Sequence, residues 1–253
     1  MDMTGEVFME KKRFPLLDSI RGTVLISMIL YHATWNFVYI YGMEWSWYRS
    51  KAAYLWQQSI CWTFILLSGF CFSMGKRHVK NGSMVFGAGV LVTLATLMAM
   101  PQNRVVFGVL TCIGSCILLV AVIEKNMRKV PPMVGMVCSF CLFLVTKNIN
   151  AGYIGLGKNL FVSLPKGWYA NYVSTYFGFP FPEFYSTDYF SIFPWLFLFL
   201  TGFYLWGVFE KKKWWNLSLL QIKIPLVNFL GQHSLLIYLL HQPIIYALQE
   251  LFL

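Results

Sequence analysis

The chain has 253 residues, of which 58% are hydrophobic, 19% aromatic and only 12% charged, with 20 Lys and Arg against 10 Asp and Glu. A water-facing globular surface carries about 25% charged residues, so the composition excludes an ordinary soluble domain and requires lipid over most of the exterior. The net charge of +10 accompanies no nucleic-acid-binding motif; the basic residues sit in short clusters between apolar runs, the pattern that sets membrane topology.

In chain order, apolar runs predict seven spans, about 15–41, 53–74, 83–100, 104–123, 130–147, 189–209 and 225–252. They approach the ~17–25 residues that cross a hydrocarbon core as a helix. They are apolar all round, whereas barrel strands alternate in and out over ~10 residues. The expected fold is therefore all-α, a polytopic membrane helical bundle forming a single domain over 1–253. The N-terminus is polar as far as Arg13, and the first apolar run is too long for the core of a cleavable signal. The segment 148–188 is a long connection rich in Gly, Pro and aromatics, among them Tyr153, Trp168, Tyr172, Tyr176, Phe181 and Tyr185. Such a composition suits a cap at the membrane interface.

Basic residues give the orientation. One set of helix ends carries thirteen: Lys11, Lys12, Arg13, Lys76, Arg77, Lys80, Lys125, Arg128, Lys129, Lys211, Lys212, Lys213 and Lys223. The other carries six: Arg49, Lys51, Arg104, Lys147, Lys158 and Lys166. The positive-inside rule places the first set in the cytoplasm, so the N-terminus is inside and the 148–188 connection and the C-terminus are outside. The six cysteines, Cys61, Cys71, Cys112, Cys116, Cys138 and Cys141, all fall in apolar runs. They read as small packing residues, and no metal is expected.

Ionisable groups inside a bilayer are costly and mark function. Span one holds Asp18, Arg21 and His32. Asp18 and Arg21 share a helix face near the cytoplasmic end. His32 lies ~16 Å further along, in the outer half, followed by Thr34, Trp35 and Asn36. The last span carries Gly231-Gln232-His233-Ser234 and then His241-Gln242-Pro243; Pro243 cannot donate to the carbonyl of Leu239. Asp188 stands at the external mouth of span six, ahead of Pro194, and span two contains Thr63, Ser68 and Gly69. His32, Asp188 and His241 thus come from three spans at comparable depth. That layout suits a site receiving an anionic cofactor from inside and an acceptor from outside. It equally suits a transporter or carrier for a small anionic or lipid-linked sugar.

The run Leu17-Asp18-Ser19-Ile20-Arg21-Gly22, followed by His32, resembles the opening of membrane acyltransferases. It is similar to bacterial relatives of the heparan-α-glucosaminide N-acetyltransferase catalytic domain and, in spacing, to the acyltransferase-3 family. Leu67-Ser68-Gly69-Phe70, Phe107-Gly108-Val109-Leu110, Asp188-Tyr189-Phe190 with Phe193-Pro194-Trp195, and Ser234-Leu235-Leu236-Ile237-Tyr238 leading to His241-Gln242-Pro243 continue the likeness in order along the chain.

The resemblance implies an acetyl-CoA-dependent acetyltransferase of the cell membrane with a sugar or glycan acceptor on the far side; a homo-oligomer is compatible with it. It implies that His32 is catalytic, as general base or as carrier of an acetyl group; Asp188 and His241, at comparable depth, are the expected catalytic partners that orient it. Arg21, Asp18, Ser68 and Arg104 are the expected cofactor contacts. Two departures stand out. The lysosomal relatives place a histidine in the loop after the first span, and here 42–52 contains none. After Phe107-Gly108-Val109-Leu110 the family often has a histidine, and here Thr111 stands.

Overall fold

The computed structural model describes residues 13–157 and 159–252. Lys11, Lys12 and Lys158 of the charge count lie outside the described residues. Pro15, whose fixed φ suits a first helical turn and whose missing N–H costs nothing there, opens α1 (Pro15–Tyr39). A 3₁₀ turn at Ser46–Arg49 leads to Ser50, whose hydroxyl accepts from the N–H of Ala52 at 3.2 Å and caps α2 (Lys51–Phe72). There follow α3 (His78–Ala99), α4 (Val109–Met127) and α5 (Pro132–Thr146). After the long connection come α7 (Ile192–Lys211), α8 (Pro225–Gln232) and α9 (Ser234–Phe252).

Among the described residues, six helices are long and apolar enough to cross a membrane: α2, α3, α4, α5 with its extension to Ala151, α7 and α9. The expected count of seven differs at α1. Its 25 residues suffice in length, but Asp18, Ser19, Arg21, His32, Thr34 and Asn36 dilute its apolar character. The span expected over 225–252 is present as two consecutive helices, broken at His233 (φ −104, ψ 20).

Two close helix crossings hold the bundle. A Cβ on Gly22 would lie 2.0 Å from the carbonyl oxygen of Val227, and one on Gly231 would lie 1.9 Å from that of Asp18. The α1 and α8 backbones therefore touch, as small residues permit in membranes. Gly69 and Gly202 do the same for α2 and α7 against the carbonyls of Phe199 and Leu66. The main core fills the space between α2, α4, α5 and α7 with Ile65, Cys112, Cys116, Phe143, Leu198 and Phe199. Cys138 and Cys141, by contrast, are exposed on α5. The helix α3 buries only Gly82 and Gly89 and turns Val79, Leu91, Leu94 and Met98 outward, as a lipid-facing helix does.

The 148–191 connection has more regular structure than its composition suggests. It contains an antiparallel hairpin, β1 (Tyr153–Leu156) with β2 (Asn159–Ser163), and the short α6 (Tyr172–Phe177). A capping box between Asn171 and Ser174 starts α6. Tyrosine hydroxyls fix the segment in place. Tyr169 donates to Ile149 O and Tyr189 to Thr175 O, each at 2.5 Å, and Tyr176 bonds Ser115 of α4.

Candidate active site

The parallel run of α1 beside α8 and α9 decides which polar groups meet. Near the basic end, Asp18 is buried and accepts from Arg13 Nε at 2.9 Å and Arg21 Nη1 at 3.0 Å, with Gln232 Nε2 at 3.5 Å. Arg21 also reaches Gly231 O and Cys71 Sγ, at 3.5 and 3.3 Å. Arg13, Asp18, Arg21 and Cys71 line a cavity of about 200 Å³ with Met74 and Gly75. Two guanidiniums face one carboxylate there, so one positive charge is left over. The recess fits an anionic group of phosphate size. Ser68 lies three residues before Cys71, and its hydroxyl is taken up by Phe64 O at 2.7 Å within its own helix.

Eleven residues beyond Arg21, His32 faces His241 of α9, ring centroids 4.9 Å apart. His241 is buried. Its Nδ1 bonds the carbonyl of Tyr238, an acceptor only, so the proton sits on Nδ1 and Nε2 presents a lone pair. That Nε2 is buried and has no partner among the described residues. Tyr31 and Tyr238 flank the pair, the first edge-on to His32 at 6.0 Å and the second 5.2 Å from His241. One turn further on, Asn36, wholly buried, ties α1 to α9. It donates to Gln249 Oε1 at 2.8 Å and accepts from Gln242 Nε2 at 2.9 Å, while Gln249 Nε2 donates to Ala33 O at 3.0 Å.

Asp188 stands apart from this pair: among the described residues it forms no hydrogen bond or ion pair with either histidine. It lies in the connection ahead of α7, where its Oδ2 accepts from the N–H of Val109, the first residue of α4, at 3.3 Å. Burial pushes its carboxyl up to about 6, and the Val109 N–H draws it part of the way back. A Cβ on Gly108 would stand 3.0 Å from Asp188 Oδ2, so the motif glycine makes room for the carboxylate. Beside it Phe107 adopts φ 56, a strained conformation for a bulky residue, and its carbonyl accepts from Phe190 N at 2.8 Å. Tyr31, Cys61 and Tyr238 lie within electrostatic reach of Asp188, so Asp188 shares the interior with the histidines without a hydrogen bond to them among the described residues.

Arg104 follows α3 at the opposite end of the bundle from Arg21 and stacks over Tyr185 at 5.6 Å, its carbonyl accepting from Thr187 N at 3.1 Å. It therefore keeps company with Asp188 and shares no site with Arg21. Thr111 is buried and donates to Gly108 O at 2.6 Å. Its methyl group also fills the crossing with Gly89 of α3, a packing role in place of a histidine. Sequence reasoning misses Gln242 and Gln249 as site residues and gives Asn36 no role. The available signal is spacing: Asn36 is one helical turn from His32, and Gln249 is two turns from His241.

Comparison with protein families matches residues 13–243 to the family described as heparan-alpha-glucosaminide N-acetyltransferase, catalytic. No curated protein and no solved structure matches the chain.

Proposed function

The chain belongs to the heparan-alpha-glucosaminide N-acetyltransferase catalytic family, and from that premise we propose that it moves an acetyl group from acetyl-CoA on the basic, cytoplasmic side to a sugar or glycan acceptor on the opposite side. Acetyltransferase chemistry in a membrane-embedded bundle is the family-level activity. The direction, donor and acceptor are our reading. The observation that carries it is the His32–His241 pair at 4.9 Å, with a lone pair of His241 Nε2 left free in a buried seam.

The donor's phosphates fit the Arg13–Asp18–Arg21 recess, and Arg21 supplies the donors there. The reach then required of the donor's flexible arm is the ~16 Å of α1 between Arg21 and His32. At the histidines an amine or hydroxyl of the acceptor attacks the thioester carbonyl. The new C–N or C–O bond forms, the C–S bond breaks, one imidazole takes the proton, and the departing thiolate recovers it. Asp188, with no hydrogen bond to either ring among the described residues, serves the external approach to the seam and holds the start of α4.

The test is purified protein with labelled acetyl-CoA and a glycan extract, wild type beside His32→Ala. Label passes to glycan with the wild type and not with the variant. Equal transfer by both removes His32 from the mechanism, and a wild type that neither binds nor consumes acetyl-CoA removes the enzyme reading.

A further inference from the structure

Two buried hydrogen-bonding atoms of α9 have no partner among the described residues: His241 Nε2 and Gln242 Oε1. Unpaired buried polar atoms are few in native structures, and each calls for an explanation. Here both are acceptors, for the same reason. The His241 ring is fixed by the Tyr238 carbonyl, which obliges Nδ1 to carry the proton.

The Gln242 amide is fixed by a chain of three amides. The chain ends on Ala33 O, which can only accept, so Gln249 must present its nitrogen there at 3.0 Å. Its oxygen then takes the Asn36 N–H at 2.8 Å, and the Asn36 oxygen takes the Gln242 N–H at 2.9 Å. The free end of Gln242 is accordingly oxygen, and the terminal carbonyl removes the usual ambiguity of amide orientation.

Both side chains pack against α1: His241 meets His32, Gln242 meets Asn36, and His32 and Asn36 are one turn apart on that helix. The seam therefore offers two lone pairs that no N–H or O–H of the described residues fills. Its complement is a small group rich in hydrogen-bond donors.

We propose that Gln242 is an acceptor-binding residue, whose Oε1, beside His241 Nε2, receives the hydrogens of the attacking amine or hydroxyl in the α1–α9 seam. This rests on the acetyltransferase reading for the identity of the attacking group, although the binding itself does not require transfer. Asn36 and Gln249 act through Gln242 as positioning residues, since they hold its oxygen outward.

The experiment separates binding from turnover. Calorimetry with the full-length protein and no acetyl-CoA measures binding of methyl glucosaminide, the amine probe, and methyl glucoside, the hydroxyl probe. Transfer and the unfolding midpoint are followed in parallel. Gln242→Met keeps the length and removes the oxygen; it is expected to weaken probe binding and raise the acceptor KM about tenfold or more. Its affinity for acetyl-CoA stays as in the wild type, while its unfolding midpoint falls because buried Asn36 Oδ1 loses its donor; binding is therefore compared well below the variant's midpoint.

Gln242→Glu, when protonated, can still donate to Asn36 and still offers a carbonyl oxygen, so it restores probe binding at low pH and loses it as the pH rises. Wild-type binding by a Gln242→Met variant overturns the proposal while leaving the enzyme reading intact, as does a kinetically silent Gln242→Met beside a wild-type structure whose Oε1 holds only ordered water in the presence of the probe. Failure of both probes to bind the wild type overturns it too. A wild type inert toward acetyl-CoA, with probe binding that depends on Gln242, supports the site and sinks the acetyltransferase reading.

Discussion

His32 and His241 present their rings to each other at 4.9 Å from helices packed side by side, and the two do not share the same supports. His241 is held by the Tyr238 carbonyl. His32 has ring contacts with Tyr31 and His241 and no hydrogen bond among the described residues. The less tethered ring is the one free to turn toward a reacting group and back, as proton transfer in both directions requires.

Both rings are expected to contribute, and the tethered one to be the more replaceable. His32→Ala is expected to lower acetyl transfer ~10²–10⁴-fold, the usual contribution of a positioned acid–base. His241→Ala falls by a similar factor, and His241→Gln retains more, since its amide can occupy the same seam. Rates with labelled acetyl-CoA at saturating donor decide the matter; equal activity of His241→Ala and wild type would remove His241 from the chemistry.

Donor binding belongs to the other end of α1. Arg21→Ala leaves Asp18 paired with Arg13 and removes one of the two guanidiniums of the recess. The expectation is a KM for acetyl-CoA raised about tenfold with kcat little changed, the signature of lost uniform binding. Arg104→Ala, at the far end of the bundle, leaves the donor KM unaltered. A reversed ranking of the two variants would place the donor on the other side of the membrane.

Asp188 gives a pH dependence whose sign follows from its burial. Its carboxyl titrates at about 6 in the fold against 3.8 ordinarily, so the fold favours the protonated form. The associated stability is complete below pH 3.8 and is lost as the pH rises through about 6. Asp188→Asn does not titrate. Its unfolding midpoint should gain on the wild type between pH 4 and pH 7, by at most about 3 kcal/mol. Melting curves that stay parallel across that window would mean the carboxylate is well solvated.

The helices are legible in the sequence because lipid demands apolar residues all round each span, and a continuous run needs no partner to be recognised. Asp18, Arg21 and Arg104 are legible as charges, and their grouping by membrane side follows from counting. What the sequence does not carry is which span lies against which. The Asn36 amide meets Gln242 and Gln249 across 206 and 213 residues, and no periodicity within α1 or α9 announces that meeting. The same gap explains Asp188: its carboxylate is taken up by the N–H of Val109 at the start of α4, and among the described residues it makes no hydrogen bond or ion pair with the histidines. The break at His233 is hidden for a related reason. Its φ and ψ are local adjustments that let Gly231 close on Asp18 O, and a histidine between a glutamine and a serine is no helix breaker by propensity.

The Gly22–Gly231 crossing makes a stability prediction that also tests the geometry of the seam. A methyl group at position 22 would meet backbone, the Val227 carbonyl oxygen at 2.0 Å, which cannot swing aside as a side chain could. Gly22→Ala must therefore push α8 away from α1, at a cost of about 1–3 kcal/mol. Because α9 continues from α8 after a single residue, the displacement carries to His241 and Gln242. Transfer activity is expected to fall at temperatures where the variant is still folded. Gly87→Ala is the control: beyond its own helix backbone nothing lies within 4 Å of a Cβ there, so it should leave activity unaltered and melt no lower than the wild type, the helix gaining about 0.5–1 kcal/mol from Ala. A Gly22→Ala protein that melts lower but transfers acetyl at the wild-type rate would show that the histidine seam is held by the Asn36 amide chain alone, independently of the glycine crossing beneath it.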